Sequence, residues 1–151
     1  MKTFESLEEI LDFAIEQEQL AVEFYTKLAT KALSDDMRKT FEEFAREEIE
    51  HKAKLVKFKE EGISVLQKEK IADLKIADYT VTEVFTPNMT YEAALKLAMA
   101  KEKAALKLYS KLFEITSRPA MKELFAFLAQ EESKHKLRFE IEYDDHFLKE
   151  N

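Results

Sequence analysis

Apolar residues recur along this chain in alternating steps of three and four, in four blocks. The first runs through Leu7, Leu11, Ala14, Ala21, Tyr25, Leu28 and Ala32, the second through Met37, Phe41, Phe44, Leu55 and Phe58. The third holds Leu95, Ala98, Ala105, Tyr109 and Leu112, the fourth Met121, Phe125, Leu128 and Phe139. Such spacing lays one face of an α-helix against a core. It predicts helices over about 7–32 and about 35–61, a third opening after Thr90 and a fourth opening at Pro119. Local signals agree. Ser6 with Glu9 reads as a capping box, Ser34-Asp35-Asp36 as a turn and cap, and Thr90 as an N-cap with Glu92 in the first turn. Gly62 reads as the stop of the second helix.

Two of the connections are short and one is long. Residues 62–90 hold a short helical candidate, Ser64 to Leu74, and an extended β-branched piece, YTVTEVFT, before Pro87. With one Gly and two Pro in 151 residues, the chain has little turn vocabulary. The expected fold is all-α, a ferritin-like four-helix bundle of two helix hairpins in one domain. Hairpin one spans about 7–61, the crossover 62–90 and hairpin two about 91–148. The crossover lets the second and third helices run parallel.

The stripes are interrupted by polar residues: Glu18 in the first, Glu48 and His51 in the second, Glu102 in the third, Glu132 and His135 in the fourth. The interruptions repeat. Displaced by 84 positions, Glu18 falls on Glu102, Tyr25 on Tyr109, Glu48 on Glu132 and His51 on His135. Two hairpins therefore share one pattern, packed about a pseudo-two-fold axis. Sixteen residues separate Glu18 from Ser34 and fourteen separate Ser34 from Glu48. At about 1.5 Å per residue, the two carboxylates stand at one height in an antiparallel hairpin. All six polar side chains can then meet in one layer.

Four buried carboxylates repel one another and resist desolvation. No Lys or Arg lies on the stripes at this layer. Two divalent cations would balance four carboxylates, with one imidazole nitrogen for each. This oxygen-rich donor set suits iron or manganese better than zinc, and a di-iron centre best of all. Tyr25 and Tyr109, two turns from Glu18 and Glu102, read as donors that orient ligating carboxylates. The bland reading of Glu-x-x-His is a solvated ion pair. It fits poorly with two of three histidines falling in that motif on apolar stripes. Glu47 and Glu131 repeat too, one residue off the stripe, and read as flanking salt-bridge groups. His146, beyond the layer, reads as part of a solvated, fraying end.

Composition narrows the remaining choices. Cysteine is absent, so any metal is held by oxygen and nitrogen. A net charge of -7 argues against nucleic acid. The longest apolar run, Leu124 to Ala129, is far too short for a membrane span, and the first residues lack the apolar region of a signal peptide. The expected location is the cytoplasm.

At EQLAVEFY (Glu18 to Tyr25), EIEH (48–51), EKAALKLY (102–109) and ESKH (132–135), the chain resembles the rubrerythrin-type branch of the ferritin-like superfamily. The resemblance implies two iron ions, replaceable by manganese or zinc, held by Glu18, Glu48, His51, Glu102, Glu132 and His135. It implies an oxidoreductase acting on hydrogen peroxide or oxygen, and a homodimer. Ferroxidase action with iron storage or transfer is the alternative, and a structural bundle with a relict site a further one. Full rubrerythrins add a cysteine-bearing rubredoxin-like domain; without it, electrons would come from a separate donor protein. Met99 stands where the family tends to carry a further Glu, one turn before Glu102. That departure bears on the family's ligand-switching peroxidase mechanism.

Overall fold

The computed structural model describes residues 3–66 and 74–148. The chain divides into two compact units, Met1–Ile76 and Ala77–Asn151.

The first unit is a helix hairpin, α1 (Leu7–Ala29) and α2 (Asp35–Leu66). Ser6 Oγ accepts the Glu9 amide at 3.1 Å and opens α1. The Glu9 carboxylate takes the amide of Glu5 at 3.4 Å, so the capping box closes one residue earlier than its usual form. α1 ends at Ala29 rather than near Ala32. Thr30 Oγ1 donates to the Lys27 carbonyl at 2.6 Å, and the amides of Thr30 and Lys31 bond three residues back, which tightens the last turn. Ser34 Oγ then accepts the Met37 amide at 3.1 Å. Gly62 does not stop α2, which continues to Leu66. A C-cap glycine acts through positive φ, and no glycine here has it. A single helical glycine costs only about 1 kcal/mol against alanine. The two helices run antiparallel, with Lys59 paired to Asp12 and Lys52 Nζ donating to Gln19 Oε1 at 2.9 Å. Leu7, Ile10, Leu11, Ala14, Leu28, Phe41 and Leu55 are fully buried. The N-terminal segment is fastened by the Phe4 amide to the Leu74 carbonyl at 3.0 Å and by a Thr3–Lys75 antiparallel bridge.

Of the helical candidate Ser64 to Leu74, residues 64–66 belong to α2 and residues 67–73 lie outside the described residues. A 3-10 turn follows, Ile76–Tyr79. YTVTEVFT joins no sheet among the described residues.

The second unit is the other hairpin, α3 (Tyr91–Ile115) and α4 (Pro119–Tyr143), prolonged by a π-helical turn, Asp144–Leu148. Thr90 Oγ1 accepts the Ala93 amide at 3.1 Å. α4 opens with Pro119 in its first turn, where the missing amide costs nothing. Ala94, Leu95, Ala98, Leu112, Phe125, Leu128 and Phe139 are fully buried. Lys107 Nζ stands 5.5 Å from the Tyr79 ring centroid and donates to the Asp78 carbonyl at 3.4 Å, docking the 3-10 turn on α3. No helix among the described residues is long and apolar enough to cross a membrane.

Candidate metal centre

In the first unit, α1 supplies Glu18 and α2 supplies Glu48 and His51. Residues three apart share a helix face, so Glu48 and His51 project together toward α1. All three are buried, with exposures of 3%, 1% and 1%. His51 Nδ1 stands 3.5 Å from Glu48 Oε1 and 3.7 Å from Glu18 Oε2. Each residue offers a ligand atom within 4.8 Å of the others'.

The electrostatics show what this packing costs. Burial raises the Glu18 carboxyl well above its ordinary range, and the neighbouring Glu48 raises it further. Burial alone would pull His51 down. Hydrogen bonding and charge from Glu18 and Glu48 outweigh it and push the imidazole up to about 10. Without a cation, protons compensate the buried carboxylates.

The second unit repeats the arrangement. α3 supplies Glu102, α4 supplies Glu132 and His135, and their exposures are 1%, 2% and 1%. His135 Nδ1 stands 3.6 Å from Glu102 Oε1. Ligand atoms of these three also lie within 4.8 Å of one another. Two carboxylates and an imidazole with water largely excluded make a donor set that fits a hard or borderline divalent cation.

A family model described as Rubrerythrin matches residues 9–143, which takes in both hairpins. The chain belongs to the rubrerythrin family. No curated protein matches it. Among solved structures, this family member is similar to a putative ferritin-like diiron-carboxylate protein from Thermotoga maritima. That match has 22% identity and a TM-score of 0.80, covering 96% of this chain and 99% of that one. A hypothetical protein from Pyrococcus furiosus matches at 29% identity and a TM-score of 0.70, covering 92% of this chain and 89% of that one. The fold is that of a ferritin-like four-helix bundle.

Tyr25 and Tyr109 are both 1% exposed. The Tyr25 ring meets Phe24 and Phe44 edge-on, at 5.4 Å and 6.3 Å between centroids. Tyr109 stacks on Phe125 at 6.5 Å. Glu131 pairs with Lys134 at 3.2 Å, while Met99 is half-buried on α3.

The end of α4 is solvated, as expected, with none of residues 144–148 buried. His146 lies in a π turn, 3.4 Å from Glu142 Oε2. Glu142 is itself buried and accepts a hydrogen bond from Tyr91 Oη at 2.8 Å. Sequence reasoning ended the fourth stripe at Phe139. Its continuation by three and then four residues, to Glu142 and His146, was the available signal.

Proposed function

We propose that this rubrerythrin-family protein is a non-haem di-iron redox protein that reduces hydrogen peroxide, or oxygen, with electrons from a separate donor protein. Glu18, Glu48 and His51 from one hairpin, with Glu102, Glu132 and His135 from the other, form one ligand set in this reading. What carries it is the duplicated arrangement: each hairpin buries two carboxylates and one imidazole with ligand atoms within 4.8 Å. When bound, two ferrous ions supply the two electrons that, with two protons, convert one hydrogen peroxide to two waters.

The chain's own residues have three tasks. The four carboxylates match the charge of two dications, so the filled site is neutral and its burial is tolerated. The imidazoles of His51 and His135 supply a neutral donor on each side once His51 has given up the proton that Glu18 and Glu48 hold on it. Leu55, Leu95 and Phe125, each fully buried, keep bulk water from the hairpin interiors. In this reading Tyr25 and Tyr109, both buried, donate to ligating carboxylates and hold their orientation.

The test is a single-turnover experiment. The full chain is loaded anaerobically with ferrous iron, its iron is counted, and peroxide is added. Consumption of one peroxide per two bound irons, without release of oxygen, is the expected result. No reaction with two irons bound would overturn the redox assignment. Retention of many more irons per chain within a large assembly would replace it with iron storage.

A further inference from the structure

The first turn of α3 and the last turn of α4 exchange two crossed hydrogen bonds. Tyr91 Oη donates to Glu142 Oε2 at 2.8 Å, and Tyr143 Oη donates to Glu92 Oε1 at 2.9 Å. Each helix contributes one phenol and one carboxylate at adjacent positions, Tyr91-Glu92 against Glu142-Tyr143. Glu142 is 4% exposed and Tyr91 9%, so water competes poorly for the inner bond. Burial, and then the hydrogen bond to Glu142, push the Tyr91 phenol far above its ordinary range, so it remains a donor.

Beyond Tyr143 the chain changes from α to π geometry, a rare form found mostly as single turns and often at functional sites. None of the five residues Asp144–Leu148 is buried. The turn rests on the crossed pair itself. His146 Nε2 lies 3.4 Å from Glu142 Oε2, and the Phe147 ring stands 5.3 Å from Tyr143 and 6.3 Å from Tyr91. Lys96 adds to the outer bond, 3.8 Å from Glu92 Oε1 and 5.7 Å from the Tyr143 ring centroid. The positive charge of Arg138 acts on Tyr91. The hairpin has separate support in Leu95, Leu112, Phe125, Leu128 and Phe139, all fully buried.

We propose that the crossed Tyr–Glu pairs are a latch and that residues 144–148 are a strap, which lifts away as a unit while the α3–α4 hairpin stays folded. The strap buries none of its own residues, and the hairpin buries many. Local opening of a segment without a core of its own costs less than global unfolding. Lifting it would bare the Glu142 carboxylate, which sits two helical turns, roughly 10 Å, beyond His135 on the same stripe.

Hydrogen exchange read by mass spectrometry on the full chain tests the latch without any metal. Tyr91→Phe removes one oxygen, and Glu142→Gln keeps the shape of its side chain. Each is expected to speed exchange in peptides covering 143–148 on the order of tenfold. Peptides within 95–139 should stay within about twofold of the unmodified chain. The double variant should do little more than Glu142→Gln alone, because both substitutions act on the Tyr91–Glu142 bond and Glu142→Gln weakens the His146 contact as well. Unchanged exchange at 143–148, or equal acceleration throughout α3 and α4, would overturn the proposal.

Discussion

His51 Nδ1 lies 3.7 Å from Glu18 Oε2, across the packed faces of α1 and α2 and away from water. Neither group is suited to that place alone: the carboxyl is driven to stay protonated and the imidazole is held protonated up to about 10. Protons and divalent cations therefore compete for one set of side chains.

Metal affinity should rise with pH for this reason. The dication held by Glu18, Glu48 and His51 must displace the proton on His51 and any proton held by Glu18. Calorimetric titration in buffers of different ionisation enthalpy should show protons released on binding, and more of them at pH 7 than at pH 9.5. Release that is zero in every buffer would contradict the protonation state described above.

The metal-free protein should also lose stability as pH rises. His51 has a folded value of about 10 against an ordinary 6.5, so its contribution is complete below 6.5 and disappears as pH rises through about 10. Glu18 is raised above 4.5, so its contribution is complete below 4.5 and fades above it. The signs agree. Thermal unfolding of the chelator-treated protein should therefore show Tm falling across pH 6.5 to 10, with a flatter profile after metal is added.

Thr90→Ala should destabilise the fold by about 1 kcal/mol, because the amide of Ala93 loses its capping oxygen. Urea unfolding should show a lower midpoint with an unchanged slope. Phe125→Ala, at a fully buried position, should cost about 3–5 kcal/mol in the same assay.

The difference between those two sites matches what the sequence could and could not reveal. A cap and a stripe are local patterns, so Ser6, Thr90 and the run from Met121 to Phe139 announce their helices directly. The buried polar residues of each hairpin were legible for a different reason. Glu18, Glu48 and His51 recur 84 positions on as Glu102, Glu132 and His135, and a duplicated breach of an apolar stripe needs a chemical cause. Gly62 misled because a glycine stops a helix only where the backbone turns left-handed, which residue type alone does not decide. Glu142 continues the fourth stripe three residues past Phe139, but its partner Tyr91 stands 51 positions away, so the sequence did not reveal the bond between them.

Glu48→Gln and Glu132→Gln provide the sharpest check on the ligand set. Each keeps the shape of its side chain and removes one negative charge from a buried position. In the absence of metal, less charge repulsion remains, so neither variant should unfold at lower temperature than the unmodified chain, and the Glu48 variant should lose part of its pH dependence because Glu48 acts on both Glu18 and His51. With metal the order should reverse. A ligand at a thousand times its Kd stabilises the folded state by about 4 kcal/mol, a gain that vanishes as affinity falls. Unmodified protein titrated with ferrous iron or manganese should therefore gain several degrees in Tm, each single variant less, and the double variant almost nothing. Equal gains in all four proteins would show that the cation binds elsewhere and that these carboxylates are not its ligands.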